Sequence, residues 1–317
     1  MRVVCVQCTP EQGKVQQNAA HIMSLVETVK PGSVDMLVLP EMALTGYVHD
    51  SLDAIEPFLE NPYAEDGATF NLARDLATRL QCYVVAGFPE RASAEALAAQ
   101  HSPHLTDARH LTDELKGSPH LPQVRQKAFN AAMLVGRDGK LVHVFRKHFL
   151  YEPDATWADE SAGFGYIDLQ GIGRVSVAVC MDLNPYLLDS DFERYELAHF
   201  CDKNRVDFMV VCMNWLLPEE ELGAYGESDG SAPSIPTINY WVTRAMPLWV
   251  PGMAKPGHEG HKVTMIACNR TGTERDFTFA GSSSVIHFFA SERAILEGAL
   301  GTNTAGVLAV DTAATTK

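Results

Sequence analysis

Three residues able between them to do nucleophilic and acid–base chemistry stand at the same kind of place in the chain, each just beyond an apolar run: Glu41, Lys147 and Cys180. Cys180 follows Val175-Ser176-Val177-Ala178-Val179 and runs straight into Met181-Asp182-Leu183-Asn184-Pro185. A strand end exposes a thiol at the edge of a sheet, and a sharp turn behind it offers free backbone N–H groups, a setting that suits a nucleophile. Glu41 follows the run Val34 to Pro40, so its carboxylate reaches the same edge, where it can accept a thiol proton. Lys147 follows Leu141 to Phe145, and an ammonium beside a thiolate lowers the thiol pKa and stabilises an oxyanion. Taken singly, each has a plainer explanation: a core thiol, a solvated loop acid, a basic residue beyond an edge strand. The order Glu, Lys, Cys, repeated at three strand ends, weighs more than the three residues do separately.

Metal and phosphate chemistry finds less support. Cys5-Val6-Gln7-Cys8 has C-x-x-C spacing, but residues three apart on a strand point to opposite faces, and no second Cys/His pair stands at ligand distance. His101, His104, His110 and His120 form no H-E-x-x-H pattern, and no glycine-rich phosphate loop occurs. The expectation is a hydrolase that needs neither metal nor cofactor.

The elements that must position these residues follow from hydrophobic periodicity. Val3 to Gln7, Met36 to Leu39 and Cys82 to Ala86 are short apolar runs that predict strands, and Asn18 to Lys30 and Phe70 to Leu80 carry apolar residues at helical spacing. Strands separated by helices predict an α/β layered sheet. Further on, Ala131 to Val135 and Leu141 to Phe145 flank an Asp-Gly pair, a strong hairpin signal. Strands are expected again at Val175 to Cys180, Phe208 to Cys212, Val263 to Cys268 and Val285 to Phe289, with a final pair around Ala294 to Leu296 and Val307 to Val310. Parallel and antiparallel pairing are therefore mixed. We expect a single domain over residues 1–317, with surface insertions at 92–122 and 217–236.

Composition bounds the rest. A chain of 317 residues that is 46% hydrophobic can bury a large core. Its net charge of −15, from 40 acidic and 25 basic residues, repels nucleic acid and anionic membranes, so neutral or cationic partners are expected. No apolar stretch approaches the roughly 20 residues of a membrane span, and Met1 to Val6 reads as an opening strand rather than a signal peptide. Seven cysteines without an export signal point to free thiols in a reducing compartment, the cytoplasm.

Three stretches together resemble the nitrilase, or carbon–nitrogen hydrolase, superfamily: Leu37-Val38-Leu39-Pro40-Glu41-Met42-Ala43-Leu44-Thr45-Gly46-Tyr47, Phe145-Arg146-Lys147-His148-Phe149-Leu150, and Val177-Ala178-Val179-Cys180-Met181-Asp182. The resemblance implies a four-layer α-β-β-α sandwich that forms a homodimer. Many members place Arg, an aromatic, Pro and Glu after the nucleophile. Here Asp182-Leu183-Asn184-Pro185-Tyr186 stands instead, and with Lys147 to Glu152 and Ile238 to Arg244 it makes the chain similar to the fungal protein N-terminal asparagine/glutamine amidohydrolases.

That resemblance implies deamidation of N-terminal Asn or Gln to Asp or Glu on proteins or peptides, a step in N-degron formation. Glu41 would be the general base, Cys180 the nucleophile, and Lys147 with the Met181 backbone N–H the oxyanion holders. Members often carry a second glutamate near the lysine that positions it or the water, for which Glu160 and, behind it, Glu152 are expected. A substrate bearing a free ammonium calls for a buried carboxylate; Asp182 is the leading candidate, with Glu152 and the acids of the 217–236 loop behind it and Asn184 and Tyr186 as further substrate contacts, although Asp182 reads equally well as a turn residue bonding the backbone near Asn184-Pro185. Two other readings stay open: an amidase of the same fold acting on small free amides or carbamoyl compounds, and a catalytically silent binding protein.

Overall fold

The computed structural model describes residues 1–91, 93, 128–186, 192–223, 225 and 229–313. Two six-stranded mixed sheets make up its centre. The first contains β1 (Arg2–Gln7), β2 (Met36–Val38), β3 (Tyr83–Arg91), β4 (Ala128–Val135), β5 (Leu141–Arg146) and a late strand, Gly306–Asp311. The second contains β6 (Tyr166–Leu169), β7 (Gly173–Val179), β8 (Phe208–Met213), β9 (Lys262–Asn269) and two strands that follow a short ribbon, β10 (Thr273–Glu274) with β11 (Phe277–Thr278). Those two are β12 (Ser284–Phe289) and β13 (Arg293–Ala299), so that the late strand of the first sheet is β14.

Each sheet has a parallel heart widened by antiparallel strands. β1, β2 and β3 run parallel in the first, as do β7, β8 and β9 in the second. The register pairs Val3 with Met36 and Leu37 with Val84, and in the other sheet Val177 with Val210 and Val210 with Ile266. Parallel strands need crossovers, which are supplied by α1 (Val15–Leu25) and, after the one-turn α2 (Leu52–Ile55), by α3 (Ala68–Leu80). Among the described residues three helices belong to the second half beyond the one-turn α4 (Glu152–Ala155): α5 (Glu196–Lys203), the one-turn α6 (Glu219–Leu222) and α7 (Ile235–Arg244).

Strand alternation sorts the core into layers. On β1, Val3 and Cys5 join the core between the sheets while Val4 and Val6 face α1 and α3, among Ile22, Phe70 and Leu76. On the far side Leu197, Cys201, Ile238 and Trp241 of α5 and α7 pack on the second sheet. The architecture is the α-β-β-α sandwich. The thiols of Cys5 and Cys8 fall in different cores, as their spacing requires.

The structure changes one expected pairing and adds an edge strand that the apolar runs did not mark. The strands around Ala294 and Val307 do not pair with each other: β13 lies antiparallel to β12, and the chain then crosses to the first sheet, where β14 pairs antiparallel to β1. β6 pairs with β7 and lies at the edge of its sheet; its half-exposed sequence carries no long apolar run. Of the expected insertions, 92–122 lies outside the described residues apart from Ser93. Within 217–236 the described residues hold α6 and a turn fixed by backbone bonds from Asn303 to Gly230 and from Thr302 to Ala232.

One glycine sets where the segment after β2 can lie. The Gly87 N–H donates to the Pro40 carbonyl, and its own carbonyl accepts from Ala43. A Cβ at position 87 would come within 2.5 Å of the Glu41 Cα and 2.6 Å of the Pro40 oxygen, both backbone atoms that cannot swing away. Gly87→Ala is therefore expected to destabilise the protein by about 1–3 kcal/mol in urea unfolding, as overpacking does. Activity should fall further than stability, because the atom displaced first belongs to Glu41.

Candidate active site

The site forms where four strands end. Leu39 and Pro40 extend β2 to Glu41, β5 ends at Arg146 just before Lys147, β7 ends at Val179 just before Cys180, and β8 ends at Met213 just before Asn214. At Cys180 the chain leaves the strand through a one-turn 3-10 helix, Cys180–Leu183, and the cysteine itself adopts φ of +45°. A side chain held in that region costs about 1–3 kcal/mol, which the surrounding bonds must over-determine. The turn leaves the N–H groups of its first residues, Met181 among them, without partners inside the helix. Cys180 is only 7% exposed, and the Asn214 backbone N–H points at its sulfur.

Lys147 is the hub. Its ammonium, fully buried, lies 2.7 Å from Oε1 of Glu41 and 2.6 Å from Oδ2 of Asp154. Asn130, on β4, donates its amide to the same two carboxylates, at 2.7 Å to Glu41 and 2.8 Å to Asp154. The ring of Tyr47 lies 5.8 Å from the ammonium. Oε2 of Glu41 has no partner among the described residues. It is the oxygen left to receive a proton.

Burial and charge pull these groups in different directions. Burial draws the Lys147 ammonium down, but the carboxylates of Asp154 and Glu41 outweigh it, and the lysine is held charged, above its ordinary value. Burial pushes Glu41 up, and Lys147 opposes that rise while Asp154 adds to it. The Cys180 thiol is pushed well above its ordinary value by burial and by the Glu41 charge, with Lys147 acting the other way. Cys180 thus rests as a protonated thiol beside a carboxylate of raised basicity, the pairing that general-base catalysis requires.

Asp182 does something other than meet a substrate. Its Oδ1 accepts the N–H groups of His148 and Phe149 at 2.9 and 2.8 Å, and its Oδ2 accepts that of Val179 at 2.8 Å. The side chain is 1% exposed. It ties the residues after Lys147 to the residue before Cys180, so the expected role as ammonium binder gives way to that of a clamp between the two segments.

The other expected residues are placed as follows. Tyr186 donates its hydroxyl to Glu160, at 3.0 and 3.2 Å, so those two residues are committed to each other. Glu152 is exposed at the start of α4. The acid that reaches Lys147 is neither of these but Asp154, two residues beyond Glu152, fixed further by the Tyr151 N–H at 3.0 Å. Asn184 accepts from the Tyr240 hydroxyl at 2.6 Å and donates to the Met181 sulfur at 3.2 Å. A cavity of about 190 Å³ opens over the sulfur, lined by Cys180, Met181, Asn184, Asn214 and Trp215 with Tyr151 and Leu216. Among the described residues no group of three or more His, Cys, Asp and Glu side chains is arranged to hold a metal ion.

The chain is similar to known proteins over most of its length. The carbon–nitrogen hydrolase family matches residues 2–185. A protein N-terminal amidase of Schizosaccharomyces pombe is 29% identical over 314 residues, which cover 95% of this chain and 95% of the relative. A protein N-terminal amidase of Saccharomyces cerevisiae is 26% identical over 238 residues, covering 68% of this chain and 45% of the relative. Crystal structures of an N-terminal amidase with a Gln-Gly or an Asn-Glu peptide share the fold, with a TM-score of 0.76 at 19% identity over 98% of this chain and 96% of theirs.

Two substitutions test the geometry. Asp182→Ala orphans three buried N–H groups, each worth about 1–3 kcal/mol, so urea unfolding should show a loss of about 3 kcal/mol or more. Asp154→Asn removes a charge that raises Glu41 while leaving Lys147 to lower it. Since Glu41 can accept a proton only when ionised, the acidic limb of the pH profile of kcat/KM should move to lower pH in Asp154→Asn, even as kcat falls. A limb that stays in place or moves upward would contradict the electrostatic assignment.

Proposed function

The chain belongs to the carbon–nitrogen hydrolase family, and from that premise we propose that it hydrolyses the side-chain amide of N-terminal Asn and Gln on proteins or peptides. The observation that carries the reading is the Lys147 ammonium shared by two buried carboxylates beside a thiol that lines a cavity. Glu41, through Oε2, takes the Cys180 proton, and the thiolate attacks the carboxamide carbon. The Lys147 ammonium and the Met181 N–H hold the oxyanion. Collapse of the tetrahedral adduct expels ammonia, which leaves with the proton from Glu41 and creates a thioester on Cys180. Glu41 then deprotonates a water that hydrolyses the thioester, and the N-terminal residue departs as Asp or Glu. The net reaction is amide plus water to acid plus ammonia, with no metal or cofactor in the scheme.

Several features support this substrate class over small free amides. The likeness to an N-terminal amidase runs through 95% of both chains rather than through the catalytic motifs alone. A net charge of −15 suits a substrate that carries a free ammonium. In this reading the enzyme works as a homodimer in the cytoplasm, where it would expose acidic residues at N-termini for the N-degron pathway. All seven cysteines are free thiols, which fits a reducing compartment, and no helix among the described residues is long and apolar enough to cross a membrane.

Ammonia release from Asn-, Gln-, Nα-acetyl-Asn- and internal-Asn peptides tests the reading. Turnover is expected only where the α-amine is free; equal rates on the acetylated peptide would sink it in favour of a general amidase. Lys147→Ala should lose about 10²–10³ in kcat, the typical cost of one oxyanion donor. A folded wild-type protein whose Cys180 resists iodoacetamide would instead indicate a silent binding protein.

A further inference from the structure

A free N-terminus in the cavity needs an acceptor for its ammonium, and the described acids beside Cys180 already hold other donors. Asp182 accepts three backbone N–H groups, Glu160 holds the Tyr186 hydroxyl, and Glu41 and Asp154 flank Lys147. Among the described residues lining the cavity there is no carboxylate at all. Asn184, which does line it, has its amide oxygen and nitrogen engaged by Tyr240 and Met181.

Asn214 is different. It follows the end of β8, is 2% exposed and lines the cavity, yet neither its Oδ1 nor its Nδ2 has a hydrogen-bond partner among the described residues. A buried amide with both ends unpaired lowers the stability of the protein that carries it, unless a ligand completes it. Its backbone N–H is directed at the Cys180 sulfur, so its side chain starts from a point next to the reacting centre. The neighbouring Trp215 also lines the cavity, and an indole near a cation is favourable.

Resting on the amidase reading above, we propose that Asn214 is the residue that recognises the substrate's free N-terminus, its Oδ1 accepting a hydrogen bond from the α-ammonium. Nδ2 is then free to donate to the carbonyl of the same substrate residue. The ammonium and the carbonyl sit on one α-carbon, so a single carboxamide can engage both. Recognition by a neutral amide also spares the thiol a further carboxylate, whose charge would raise its pKa as Glu41 already does.

The test compares wild type with Asn214→Ala on Asn-Gly peptide, and on the same peptide with its α-amine replaced by hydrogen, measured as a competitive inhibitor. Hydrogen bonds to charged groups carry about tenfold to hundredfold in affinity, so the variant's KM for Asn-Gly should rise by about that factor, with kcat changed far less. The inhibition constant of the amine-free analogue should change by a much smaller factor. The melting temperature should hold or rise, because the side chain removed bonds to no other group among the described residues; a structural role would lower it. An unchanged KM, or an equal loss for peptide and analogue, overturns the assignment of Asn214 while leaving the amidase reading intact. A wild-type enzyme that leaves Asn-Gly untouched overturns that reading, and the assignment with it.

Discussion

A lysine ammonium with no solvent exposure is the constraint on which the rest of the site depends. Removing such an ion from water costs several kcal/mol even after relaxation, and only close, well-directed opposite charge offsets it. Glu41 and Asp154 supply that charge at 2.7 and 2.6 Å, and Asn130 braces both. Two acids on one cation leave an excess of negative charge. The two acids keep Lys147 charged against its burial, while burial first of all raises Glu41, with Asp154 adding to it, and raises the Cys180 thiol, with Glu41 adding to it. The same balance that permits the lysine to be buried therefore sets the proton inventory for chemistry.

Such a network works only if the segments that bear it are held in register. The fold achieves this by ending strands of both sheets at one edge, then bolting the loops together. Asp182 joins the Lys147 and Cys180 segments through three N–H groups, and Gly87 lets the backbone at Glu41 lie directly against β3. The left-handed backbone at Cys180 is strain that these bonds sustain, and it directs the thiol into the cavity rather than along the strand.

Much of this was legible in the sequence, and the limits have physical causes. Glu41, Lys147 and Cys180 stood out because apolar runs announce strands, and a reactive residue just past a strand end is visible in one dimension. Asn214 obeys the same rule, following Phe208 to Met213, and could have been picked out by it. Asp154 carried no such signal: it sits in a one-turn helix among several loop acids, and only the tertiary path brings it, rather than Glu152 or Glu160, onto the ammonium. Asp182 was expected to face a ligand because it stands two residues from the nucleophile. The distribution of its bonds depends on where the chain 33 to 34 positions earlier passes, which local sequence does not encode. β13 and β14 resemble a terminal pair for the same reason, since periodicity marks strands but not partners.

The central claim is that Cys180, relieved of its proton by Glu41, carries the acyl group. Mass spectrometry of enzyme acid-quenched during turnover of an N-terminal Asn peptide tests it most directly. The expected result is the substrate less ammonia attached at Cys180 in the wild type, and no such adduct in Glu41→Gln. An acyl group on another residue, or turnover that persists once Cys180 is fully alkylated, would contradict the account.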